Sequence, residues 1–192
     1  MEAFLISLST VGIAEMGDRT QLLSLLLAAR FRRPWPILAG ILCATIANHA
    51  AAGLVGTWFG RLLTPFWLDL VVGLGMIVMA LWALKPDRLD EDESLQKSGT
   101  GAFLATLTAF FLAEMGDKTQ IATLALAAAY PNLVAVVAGS TAGLMIANTP
   151  AVLLGRAFAN RLPVAALQKG AAIIFCLIGL IFLGRAMLPY FH

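Results

Sequence analysis

Ala14-Glu15-Met16-Gly17-Asp18-Arg19-Thr20-Gln21 returns 99 residues later as Ala113-Glu114-Met115-Gly116-Asp117-Lys118-Thr119-Gln120, each copy set within a long apolar run. Ala39-Gly40 likewise matches Ala138-Gly139, and Ile46-Ala47-Asn48 matches Ile146-Ala147-Asn148 after one inserted residue. The chain therefore reads as a duplicated unit. Of its 192 residues, 60% are hydrophobic and 12% charged, whereas soluble domains carry about 25% charged residues. With a mean hydropathy of +0.86, a membrane protein is expected. The formal charge of +2 is spread without a dense basic run, which sets nucleic acid aside as a partner. Cys43 and Cys176 lie in apolar segments with no Cys-x-x-Cys spacing, so neither a disulfide framework nor a soft-metal site is indicated.

A membrane helix needs about 20 apolar residues, and six windows qualify: about 3–28, 36–59, 66–84, 102–129, 132–157 and 166–187. The breaks between them are Arg30 to Pro34, Gly60 to Pro65, the acidic loop Asp87 to Glu93, Tyr130-Pro131-Asn132 and Asn160 to Pro163. All are rich in the Pro, Gly and charge that end helices. The expected fold is all-α: a polytopic membrane protein of six transmembrane helices. Three windows per copy is an odd number, so the second copy enters from the opposite side. This predicts two inverted three-helix repeats, 1–84 and 102–192, joined by a cytoplasmic linker, 85–101. Such transporters place their site at the bilayer midplane.

With the N-terminus outside, the cytoplasmic side receives Arg30, Arg32, Arg33, Lys85, Arg88, Lys97, Arg156, Arg161 and Lys169, against Arg61 and Arg185 outside. Positive residues favour the cytoplasmic side, so this orientation is expected. The first window has no basic n-region and carries Glu15, Asp18 and Arg19, so it reads as a retained helix rather than a signal peptide. Trp35, Trp58, Trp67 and Trp82 lie near helix ends, where an aromatic belt would place them.

Each ionisable residue near the bilayer centre costs at least about 2.5 to 3.5 kcal/mol on insertion scales and is functional by default. Here there are six: Glu15, Asp18, Arg19, Glu114, Asp117 and Lys118. In a regular helix, Glu15 with Asp18 and Glu114 with Asp117 form two carboxylate faces. A purely structural alternative pairs Glu15 with Arg19 and Glu114 with Lys118, leaving Asp18 and Asp117 without partners. Four carboxylates against two bases leave two excess negative charges. In low dielectric these are neutralised by protons or matched by a cation. One divalent ion or about two protons satisfies the site, and their competition is antiport.

Oxygen donors without Cys or a His cluster favour Ca²⁺, Mn²⁺ or Mg²⁺. Asn48 and Asn148 are candidate neutral ligands, or else interhelical hydrogen-bonding residues. Thr20 and Thr119 join the site only where Gly17 and Gly116 let the backbone kink or unwind. Gln21 and Gln120 flank the site. His49 has Thr149 as its counterpart and reads as a local hydrogen-bonding residue rather than a ligand. Asp69, near the start of its helix, is expected to reach the interface. Gly56 to Gly60 and Gly139 to Gly143 are spacings for close helix packing.

Both octapeptides contain Glu-x-Gly-Asp-[Lys/Arg]-[Thr/Ser] in full, as Glu15 to Thr20 and Glu114 to Thr119. In this the chain resembles the calcium/manganese cation:proton exchangers, whose members carry one such motif in each half, and the likeness covers the whole chain. The resemblance implies export of Mn²⁺, with Ca²⁺ as the alternative, in exchange for protons, with the motif acids as the cation site. No cofactor beyond the transported ions is implied. Small size and the lack of a targeting extension fit a bacterial plasma-membrane member, and a homo-oligomer is compatible with the sequence. Two other classes compete. Met-Gly-Asp within a helix is similar to the Gly-x-Gly-Asp of intramembrane aspartyl proteases, and a small-solute exporter has a comparable helix count.

Overall fold

Gly17 and Gly116 hold φ of +81° and +75°, a left-handed conformation that costs other residues about 1–2 kcal/mol. On either side the chain is extended: Met16 and Met115 have ψ of 117°, and Asp18 and Asp117 have ψ of 166° and 163°. The expected continuous helices over 3–28 and 102–129 are therefore each broken. The computed structural model describes residues 1–84, 101–154 and 164–187. Among them are eight helices: α1 (Glu2–Glu15), α2 (Arg19–Phe31), α3 (Pro34–Leu62), α4 (Pro65–Ala83), α5 (Ala102–Glu114), α6 (Lys118–Ala129), α7 (Leu133–Leu154) and α8 (Val164–Met187). The acidic loop Asp87 to Glu93, the bases Lys85, Arg88, Lys97, Arg156 and Arg161, and the break Asn160 to Pro163 lie outside the described residues.

Four helices are long and apolar enough to cross a membrane: α3, α4, α7 and the stretch Ala165–Met187 of α8. Pro34 and Pro65 stand in the first turns of α3 and α4, where a missing N–H costs nothing. Arg32, with φ of 52°, ends α2 and donates its N–H to the Ala28 carbonyl. Trp35, Trp58 and Trp67 are exposed near helix ends, and Cys43 is exposed on α3.

Because lipid is as apolar as leucine, helices here associate through close packing, and glycines set the contacts. A Cβ on Gly139 or Gly143 of α7 would lie 2.3 Å from the Phe4 carbonyl oxygen or 2.5 Å from that of Leu8. This register makes α1 and α7 parallel. On α3, a Cβ on Gly56 or Gly60 would lie 2.1 Å from the Leu124 carbonyl oxygen or 2.5 Å from that of Ala128, so α3 and α6 are also parallel. Both GxxxG spacings thus pack helices closely. Gly73 meets Gly179 and Leu183 where α4 lies against α8. Phe110, Ile37, Ile41, Leu27 and Leu144 fill one buried cluster, and Phe175, Met76 and Leu126 another.

Candidate functional site

Each break is held by its own side chains. Gln21 Oε1 accepts the Gly17 N–H at 3.0 Å and Gln120 Oε1 accepts the Gly116 N–H at 2.7 Å. These residues fasten the unwound turns rather than merely flank them. The break also changes the helical wheel. Thr20 Oγ1 donates to Glu15 Oε2 at 2.7 Å, and Thr119 Oγ1 donates to Glu114 Oε2 at 3.2 Å. Both threonines therefore reach the acids, by the unwinding on which the sequence reading made this conditional.

Glu15 and Glu114 end α1 and α5, where unsatisfied carbonyls already carry partial negative charge. Asp18 and Asp117 begin α2 and α6, at the positive helix ends; the Asp117 carboxylate accepts the Thr119 N–H at 3.4 Å. All four acids are buried. Carboxylate oxygens of Glu15, Glu114 and Asp117 lie within 4.8 Å of one another, so the two copies meet. Oxygens alone in this cluster suit a hard or borderline cation.

The basic residues cross over. Lys118 bonds to Asp18, and Arg19 lies 3.4 Å from Asp117 while donating to the Ala113 carbonyl at 2.6 Å. The i,i+4 pairs of the purely structural alternative, Glu15 with Arg19 and Glu114 with Lys118, are not those formed, because the break takes each base off the face of the preceding glutamate. Asp18 and Asp117 have the basic partners. Glu15 Oε1 and Glu114 Oε1 are buried without a hydrogen-bond partner, so the glutamates are the acids in excess of the bases.

Asn48 and Asn148 act as interhelical links. Asn48 Nδ2 donates to the Phe111 carbonyl at 3.0 Å; Asn148 Oδ1 accepts from Ser24 Oγ at 2.7 Å, and its Nδ2 donates to the Leu144 carbonyl at 3.2 Å. Gln21 Nε2 adds a bond to the Ala147 carbonyl at 2.8 Å. Ser24 was missed in the sequence, although Thr123 stands opposite it at the same 99-residue offset. His49 is fully buried and neither ring nitrogen has a hydrogen-bond partner, so it is not the local hydrogen-bonding residue expected. Asp69, in the second turn of α4, is buried and pairs with the half-exposed Arg185 at 3.5 Å.

Residues 3–91 and 102–189 match the family described as "Divalent cation/proton antiporter GDT1". A Vibrio cholerae protein described as "Putative manganese exporter" is 46% identical over 94% of this chain and 90% of its own length. A GDT1-like protein of Synechocystis is 29% identical over 94% of this chain and 96% of its own, and "GDT1-like protein 4" of Oryza sativa subsp. indica is 30% identical over all of this chain and 74% of its own. No solved structure matches the chain significantly. The duplicated motif, its meeting at one buried carboxylate cluster and the match along both halves give one conclusion: the chain belongs to the GDT1 family of divalent cation/proton antiporters.

Proposed function

We propose that this transporter exports Mn²⁺ from the bacterial cytosol in exchange for about two protons, using Glu15, Glu114 and Asp117 as the cation's carboxylate ligands and Asp18 beside them. Family membership makes the chain an antiporter and not a protease. Manganese is favoured over calcium by the description of the Vibrio cholerae relative. The observation that carries the site is the pair of buried glutamate oxygens, Glu15 Oε1 and Glu114 Oε1, that lack partners within a cluster of acids spanning 4.8 Å. One divalent ion or two protons balances those glutamates, and both together overfill them.

In this reading α1 with α2, and α5 with α6, are each one broken span, so the chain crosses six times in two inverted repeats, 1–84 and 102–192, joined by 85–101. Supporting this, α3 lies against α5 and α6 while α7 lies against α1 and α2, a reciprocal exchange between the copies. Half-helix ends at a midplane site are a recurrent transporter device. The N-terminus is outside and the membrane is the bacterial inner membrane, with lipid as the surround.

Purified protein in liposomes with Mn²⁺ inside and an imposed pH gradient tests the reading. Mn²⁺ efflux should follow proton entry, and Glu15→Gln or Glu114→Gln should abolish two-for-one exchange. Mn²⁺ flux that ignores the pH gradient would overturn it.

A further inference from the structure

Two hydroxyl ladders leave the carboxylate cluster. On α2, Thr20 donates to Glu15 and Ser24, one turn on, donates to Asn148. On α6, Thr119 donates to Glu114 and Thr123 donates to the Thr119 carbonyl at 2.8 Å. The ladders differ in what meets them. The α2 ladder ends on Asn148, whose amide is bonded on both sides. Beside the α6 ladder stands His49, where the other copy has Thr149.

Packing places His49. Gly53, one turn further along α3, faces Ala127 of α6 and Leu133 and Val137 of α7. Since α3 is parallel to α6, and α7 turns back from α6 after residues 130–132 to share with α3 a groove lined by Leu42, Leu54, Val134 and Met145, α3 is antiparallel to α7. By the register of Gly56 with Leu124 and Gly60 with Ala128, His49 is level with Lys118 and Thr119 on α6, beside the carboxylate cluster, and with Thr141 on α7. His49 is buried with both nitrogens unpartnered, and so are the hydroxyls of Thr141 and of Thr45, one turn below His49. Each such group costs about 1–3 kcal/mol if nothing satisfies it. Polar sites of this kind are ordinarily satisfied by water.

Beyond His49 the route closes on the α3–α6 seam. There Gly56 and Gly60 bring α3 against the Leu124 and Ala128 carbonyls with no room for a methyl group. Alongside the seam, a cavity of about 230 Å³ lies between Ala51, Ala52 and Val55 of α3 and Gln120, Ile121 and Leu124 of α6. It gives the helices space to part, and it reaches the glutamine that fastens the second break. We propose that this seam is a gate, and that His49 with Thr123 and Thr141 lines the hydrated half-path it opens between Glu114 and the membrane face where α6 ends. The gate rests on the antiport reading for its use, though not for its geometry.

The test uses the full chain with Cys43→Ala and Cys176→Ala, in sealed liposomes, and a membrane-impermeant cationic methanethiosulfonate. Thr123→Cys and Thr141→Cys should react from the face where α6 ends and not from the other. Adding Gly56→Ala, which wedges the seam, should raise the Thr123→Cys rate several-fold. No reaction from either face in monodisperse protein, or reaction from the opposite face, overturns the gate; should Thr123→Cys not fold, Thr141→Cys carries the same test. His49→Leu should lower the maximal Mn²⁺ exchange rate at least tenfold with KM within twofold, and His49→Gln should restore most of it. Equal losses in both variants overturn the role of His49. Loss of Mn²⁺-driven proton movement in the cysteine-free parent would sink the antiport reading alone, since labelling reads the gate independently.

Discussion

Replacing Glu114 by glutamine should make exchange sensitive to membrane voltage. The site holds four carboxylates and two bases, and the bases are engaged by Asp18 and Asp117. In the proposed cycle the native excess of two charges on Glu15 and Glu114 takes one divalent ion or two protons, so a full cycle moves equal charge each way. Glu114→Gln leaves an excess of one, so a divalent ion exchanges for one proton and each cycle carries one net charge. One elementary charge across 100 mV is worth about 2.3 kcal/mol. At about 1.4 kcal/mol per decade, that is roughly a 50-fold change in the Mn²⁺ ratio at equilibrium. The assay fixes the pH gradient in liposomes, imposes 100 mV with a potassium gradient and valinomycin, and measures Mn²⁺ on both sides. The native ratio should stay flat. A native ratio that shifts tens of fold would refute the charge count even if the variant proves inactive, as would a cycling variant with no voltage response.

Asp18→Asn should cost about 3–5 kcal/mol of stability by removing the carboxylate that the buried Lys118 ammonium bonds to; thermal unfolding in detergent should show this, and adding Lys118→Met should recover part of it. Gly116→Asn should be tolerated better than Gly116→Ala, because the position has φ of +75° and open space around it, and asparagine adopts that conformation more readily; equal losses of Mn²⁺ exchange would argue against backbone conformation as the cause. Mn²⁺ at about 100 times its Kd should stabilise the native protein by about 2.7 kcal/mol, read as a rise in Tm, and the rise should vanish in the Glu15→Gln/Glu114→Gln double variant.

The apolar windows, their order and the acids were legible in the sequence because all depend on composition along the chain. The breaks were only half legible. Glycine announces freedom to take positive φ, yet the commitment to unwind comes from Gln21 and Gln120 bonding back to Gly17 and Gly116, and glutamine is equally at home in a regular helix. The crossed pairing was illegible for the same reason: i,i+4 logic presumes the helix that the glycine interrupts. Nor could spacing show that the amide of Asn148 is engaged by Ser24 and the Leu144 carbonyl, since that depends on which helices touch. The burial of His49 without a partner is likewise a property of three packed helices, so its sequence position beside Asn48 carried no sign of it.

The crossed bases tie the two copies of the motif into one carboxylate cluster. Had Arg19 and Lys118 paired with Glu15 and Glu114, each copy would have been neutral at its glutamate, and an arriving cation would have had to displace a fixed positive charge. Lys118 instead bonds to Asp18, and Arg19 sits beside Asp117. Each copy thus neutralises the aspartate of the other and frees its own glutamate. The two freed glutamates come together with Asp117 within 4.8 Å, where like charge at short range opposes leaving both ionised and unmatched. Protons and a divalent cation are the mobile charges of the proposed cycle, so the same crossing that joins the copies also makes the ions alternate. The two joints are unequal, because the Arg19 side chain is 28% exposed and that of Lys118 is 3% exposed. Solvent screening makes the arginine joint the weaker tie.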